Sequence, residues 1–145
     1  MSNPIAAAAL SANHRCFSTA NSCVSGVVSA ANSLVGSSTN DRVGQTAQIA
    51  LSNGAYVVVV ADWDNGGVVD AGAVVHGPFV TGIVGPISAA NALVGASAGD
   101  RIGSGGIVVL SSPTYSWVAS SPDFDHGAAV DAGASCVYLG LRDAT

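Results

Sequence analysis

Six aspartates carry the densest chemistry in this 145-residue sequence, and they come as two matched sets. Asp62, Asp64 and Asp70 stand close together with Asn65 and Gly66 between them, and Asp123, Asp125 and Asp131 repeat the same spacing. Oxygen donors at alternate positions beside glycines are what a hard cation such as Ca2+ takes from a loop, so both sets are candidate metal ligands. The same residues have a purely local reading, because Asp and Asn side chains bond their own backbone and cap turns. On sequence both readings stand. Each set also holds one aromatic at the same place, Trp63 and Phe124. A ring exposed among polar groups stacks on sugars, which makes these two the candidate ligand-binding residues for a glycan; the competing role is packing in a core or between repeats.

Groups that would perform catalysis do not assemble. His126 beside Asp125 has the look of a general base, but no Ser or Cys nucleophile accompanies it, and the matching position is Asn65. His14 and His76 sit in other contexts. Cys16, Cys23 and Cys136 show no metal-type spacing; three thiols allow at most one intrachain disulfide, or none if all are small buried residues. Asp41-Arg42 and Asp100-Arg101 recur in register and read as a turn with an ion pair between neighbouring repeats, worth about 0–1 kcal/mol if exposed. The expectation is a protein that is not an enzyme.

Composition narrows the scaffold that must position these residues. Only 9% of residues are charged against 49% hydrophobic, and the charge comes from Asp and Arg alone, with no Lys and no Glu. Helix surfaces are decorated with Lys, Glu, Gln and Arg, so little helix is expected; Gly, Ser, Asn, Asp and Val favour short strands and tight turns. A net charge of -5 with Arg15, Arg42, Arg101 and Arg142 scattered singly excludes nucleic acid as a partner. No run reaches the roughly eighteen apolar residues of a membrane span. The apolar stretch Ile5 to Leu10 lacks a preceding basic residue and is short for a signal peptide.

Self-similarity is the strongest organising signal. Ser29-Ala-Ala-Asn-Ser-Leu-Val-Gly36 returns as Ser88-Ala-Ala-Asn-Ala-Leu-Val-Gly95, an offset of 59, and thirteen of the twenty-four positions from Ser29 to Ser52 are identical in the second copy. Two residues are inserted in the turn Ser112-Pro-Thr-Tyr115, after which the offset is 61 and Asp62-Trp-Asp-Asn-Gly66 aligns with Asp123-Phe-Asp-His-Gly127. His14, Phe17 and Thr19 resemble His76, Phe79 and Thr81. The division is therefore residues 1–28 as a partial repeat, 29–87 as the first repeat and 88–145 as the second. Within each copy, apolar runs bounded by turn residues predict strands at Gln45 to Leu51, Tyr56 to Ala61 and Gly72 to Val75, and at Gly106 to Leu110, Tyr115 to Ser120 and Gly133 to Leu139. The unalternating Val57-Val-Val-Val60 predicts a strand buried on both faces. The Ala-rich segment Ile87 to Val94 is expected as a fourth, outer strand.

Asp100-Arg-Ile-Gly103, Val118-Ala-Ser-Ser-Pro-Asp123 and Ala132-Gly-Ala-Ser-Cys-Val-Tyr138 resemble the integrin-α-type FG-GAP repeat, as do Asp41-Arg-Val-Gly44, Val57 to Asp62 and Ala71-Gly-Ala73. The resemblance implies an all-β chain of two tandem antiparallel blade-like sheets of β-propeller type, plus the partial N-terminal repeat. It also implies a place in the repetitive cell-surface proteins of bacteria, hence an extracellular or cell-surface location. Val43 and Ile102 replace the family's aromatic, and its calcium loop is missing from Ser52-Asn-Gly-Ala55 and Ser111 to Thr114, so that calcium site does not carry over. A blade buries its faces only against other blades. Two cannot close a ring, so the expectation is a fragment of a longer protein or a homo-oligomer or filament, with structural and adhesive function. The alternative is a binding module for carbohydrate or a Ca2+-dependent ligand, using the Asp-Trp/Phe-Asp loops.

Overall fold

The computed structural model describes residues 26–110 and 115–140, and over these the chain is all-β with no helix. Most of the partial repeat at residues 1–28, including His14, Cys16, Cys23 and the short apolar stretch, lies outside the described residues, as do the turn at 111–114 and the last five positions.

Nine strands form: β1 (Leu34–Val35), β2 (Ala47–Ala50), β3 (Tyr56–Val60), β4 (Ala73–Gly77), β5 (Gly85–Pro86), β6 (Leu93–Val94), β7 (Gly106–Val109), β8 (Trp117–Ser121) and β9 (Ala134–Tyr138). They assort into a parallel pair β1–β5, an antiparallel sheet ordered β2-β3-β4-β6, and an antiparallel sheet ordered β7-β8-β9. The up-and-down meander expected of each copy is therefore present twice.

Four consecutive β-branched residues make β3 a strong strand former; β2 and β4 pair its two edges, and a core on each side of the sheet buries its two faces. Val57, Val59 and Val60 have no exposed surface, and each such burial is worth about 1.5–3 kcal/mol. The two faces feed two cores. Val57 and Val59, with Val74 of β4, meet Trp117 and Ala119 of β8 and Ile102, which joins the two sheets face to face. Val58 and Val60, with Ala73 and Val75, pack with Trp63 and Ile87, backed by Leu34 and Val43.

One strand is shorter than expected. The segment Ile87 to Val94 supplies the fourth, outer strand only at its end: β6 lies at the edge of the β2-β3-β4 sheet and pairs with β4, Leu93 opposite Val74 and Val94 opposite Ala73, so the start of the second copy completes the sheet of the first. The cause is a turn. Asn91 Oδ1 accepts the Ser88 N–H at 2.9 Å while its Nδ2 donates to the Pro86 carbonyl at 3.0 Å, reversing the chain before β6. Ser29 and Asn32 build the same turn, with the Val27 carbonyl as acceptor. The recurring Ser-Ala-Ala-Asn is thus a turn motif rather than strand, as Asn side chains that bond nearby backbone favour.

Candidate assembly interface

Beside the shared hydrophobic core, the two copies are joined by a seam of backbone hydrogen bonds. Residues 95–102 of the second copy run along residues 69–72 of the first: the N–H groups of Gly95, Gly99, Arg101 and Ile102 donate to the carbonyls of Gly72, Val69, Asp70 and Ala71 at 3.2, 3.0, 3.0 and 3.1 Å. The β4–β6 ladder continues the same seam. Glycine is what lets the chains approach. A Cβ on Gly72, whose φ is +75°, would lie 2.2 Å from the Ile102 nitrogen, and one on Gly95 would lie 2.2 Å from the Ala71 oxygen. Asp70 and Arg101, bonded to each other across the seam, both hold left-handed backbone, at φ 51° and 44°. That conformation costs an L-residue roughly 1–2 kcal/mol, and it recurs at Arg42 and Asp131, so the loops are held there by their surroundings.

The surroundings are mostly aspartate. Asp100 is wholly buried, and its carboxylate accepts the N–H groups of Ala96 and Ser97 at 2.9 and 2.8 Å and of Asp125 at 3.0 Å. Burial pushes its pKa up, but the three N–H donors outweigh that and hold it below the ordinary carboxylate value. Asp41 repeats the arrangement with Ser37, Ser38 and Asp64. The next aspartate in line is used the same way: Asp64 Oδ1 accepts the Asp70 N–H at 2.9 Å and Asp125 Oδ1 accepts the Asp131 N–H at 2.8 Å. These are relays of carboxylates that staple loop to loop.

Of the candidate metal ligands, Asp62, Asp64 and Asp70 do share one polar cleft of about 550 Å3, with Arg42 and Arg101 on its wall. Asp62 binds Arg101 at 2.8 Å and lies 3.6 Å from Arg42, so guanidinium groups flank it. Among the described residues no three His, Cys or Asp side chains converge as a metal centre would need. The Asp123 carboxylate accepts from Ser104 Oγ at 3.2 Å. Trp63 is placed in the second core, 2% exposed, leaving no ring face for a sugar; Phe124 packs against the first core. The sequence singled out the aspartates of the two clusters and read Asp41 and Asp100 as a turn with an ion pair; the turn is there, but the link from each carboxylate to the Asp64 or Asp125 N–H is not legible in it. Their identity in both copies was the available signal. The inter-repeat ion pair itself is present as Arg101–Asp62, with the arginine side chain 47% exposed. Arg101→Ala should therefore cost less than about 1 kcal/mol in urea denaturation.

At one end of the seam the His76, Trp117 and Tyr138 rings stack, with centroids 4.5 Å apart for His76–Tyr138 and 5.2 Å for Trp117–Tyr138. Trp117 Nε1 donates to His76 Nδ1 at 3.4 Å, which requires that nitrogen unprotonated. Burial lowers the His76 pKa. A histidine depressed in the fold supports stability above its unfolded pKa of about 6.5 and withdraws that support as pH falls through the folded value. The melting temperature should fall between pH 7 and pH 5, and His76→Gln should remove that step.

Among the described residues, half of a second seam is left unpaired at each end of the repeat pair. Among the described residues, β9 has no strand on its outer edge, and the carbonyls of Val130, Asp131, Ala132 and Gly133 accept no hydrogen bond. These are the counterparts of the four carbonyls at 69–72. Likewise the N–H groups of Gly36, Asn40, Arg42 and Val43, counterparts of the four donors at 95–102, have no acceptor among the described residues. The outer face of the β7-β8-β9 sheet is mixed: Val108 and Val137 are 59% and 53% exposed, whereas Ser120 and Ser135 stand where the first copy has Val59 and Val74.

A sequence-family model described as a repeat of unknown function (DUF5650) matches residues 12–45 and 50–104, more than half of the chain. Neither a curated protein nor a solved structure matches the chain.

Proposed function

The chain belongs to the DUF5650 family of repeats, and on that premise we propose that it is a non-catalytic structural repeat protein that self-associates. The observation that carries this reading is the seam itself. Copies within the chain adhere through a shared core and a seam of backbone hydrogen bonds, and the described residues present unspent seam acceptors at one end and unspent donors at the other. Main-chain pairing at an open strand edge gives affinity without demanding particular side chains. An unpaired edge is also a liability that soluble proteins cover, so an exposed β9 favours a strand partner. Contact through the strand edge is better supported than stacking of bare apolar faces, since Ser120 and Ser135 blunt the outer face. The two meanders packed face to face agree with blade-like units of propeller type. The resemblance to FG-GAP repeats supports an extracellular or cell-surface, adhesive setting. Binding of carbohydrate or Ca2+ has less support, because Trp63 is buried and Asp64 and Asp125 are engaged by backbone.

Sedimentation velocity over a concentration series tests the proposal. Oligomers or filaments that grow with concentration are expected; a monomer from micromolar to millimolar protein would overturn it.

A further inference from the structure

We infer that the open edge of β9 takes the β1 segment of a second copy, head to tail, in the register that β6 uses on β4. This rests on the self-association proposed above and names its contact. The inner seam supplies the template. Leu93 and Val94 of β6 pair with Val74 and Ala73. Their counterparts by repeat are Leu34 and Val35 on one side and Ser135 and Ala134 on the other, so Leu34 of the second copy lies opposite Ser135 and Val35 opposite Ala134. Four further backbone bonds follow from Gly36 onward, each joining an N–H and a carbonyl that are unspent among the described residues. Charge agrees as well. Arg101 binds Asp62 across the inner seam; the corresponding pair is Arg42 of the second copy with Asp123. Because donor and acceptor surfaces differ, the contact is heterologous and propagates as a ring or filament.

Gly133 provides a substitution that separates docking from folding. A Cβ there meets nothing nearer than the Pro122 oxygen at 3.4 Å, although its φ of +72° adds some strain. At its counterpart Gly72 the added carbon lies 2.2 Å from the Ile102 nitrogen, so in the docked state it would strike the Val43 nitrogen of the second copy. Gly133→Ala should weaken association by about 100-fold while the chain still folds, as thermal melting of the dilute variant would show. Independently, Val35→Cys and Ala134→Cys chains, each with Cys16, Cys23 and Cys136 changed to serine, are mixed and oxidised. Directly opposed antiparallel residues lie about 4.5–5.5 Å apart, within disulfide reach. A mixed disulfide dimer that neither variant forms alone is expected, and Val137→Cys in place of Ala134→Cys should give none. If wild-type protein assembles but Gly133→Ala assembles equally and no mixed dimer forms, this register is wrong while self-association stands. A wild-type chain that never assembles overturns both.

Discussion

Asp100→Ala is expected to lower the unfolding free energy by about 3–5 kcal/mol in urea titration. The carboxylate has no exposed surface, and three backbone N–H groups, of Ala96, Ser97 and Asp125, converge on its two oxygens. Hydrogen bonds to a charged group are worth about 1.5–3 kcal/mol each, and a buried donor stripped of its acceptor adds a desolvation cost. Water entering the vacated space would recover part of this, which keeps the total below the simple sum. Asp100→Asn should lose roughly half as much, since its amide oxygen still accepts from the Ala96 and Ser97 side while its NH2 faces the Asp125 N–H. The pH dependence has a definite sign. The folded pKa is depressed, so the stabilisation is fully present above the unfolded carboxylate value of about 3.9 and is lost as pH falls through the folded one. Acid titration of wild type should show that loss, and the Asn variant should be flatter in the same window. Equal acid profiles would mean the carboxylate is not the staple the geometry makes it.

Gly72→Ala should cost about 3 kcal/mol or more, whereas Gly133→Ala, at the same position of the other copy, should cost about 1 kcal/mol. Both residues have positive φ, +75° and +72°, so both alanines bear the left-handed penalty. The difference is the neighbour. At Gly72 the new carbon meets Ile102 N at 2.2 Å and Arg101 C at 2.6 Å, backbone atoms that can move only by opening the seam. At Gly133 the nearest atom is at 3.4 Å. Paired denaturation curves check this directly. Two similar losses would mean that strain alone, and not the seam, decides the cost at both sites.

Much of the secondary structure was legible. The six long strands fall within a residue or two of their sequence boundaries, because Val-rich runs between Gly, Asn and Pro turns have few other stable arrangements in a chain so poor in helix formers. The unalternating valines of β3 reported burial on both faces correctly, since only a central strand between two packed layers keeps four consecutive valines from water. The candidate site was harder to see. Periodicity describes a strand's faces, not where a side-chain turn interrupts a run of small residues, and so the fourth, outer strand expected over Ile87 to Val94 is confined to Leu93–Val94. Asp100 escaped for a related reason: charge on a turn residue reads as solvent-facing unless the donors that enclose it are known, and those come from Ala96, Ser97 and Asp125, distant in part along the chain. Trp63 shows the converse. Its flanking aspartates leave a glycan platform and core packing both open, and the fold decides for the core because β3 and β4 carry their own valines to the same side and close over the ring.

By itself the amino-acid order determined that this protein is a repeated all-β chain with aspartate-bearing turns, because composition and local pattern act over a few residues at a time. Only the tertiary structure decided that the start of the second copy completes the sheet of the first. Backbone hydrogen bonding at an open edge is nearly independent of side chains, so it leaves almost no imprint on sequence until a glycine such as Gly72 must make room for it.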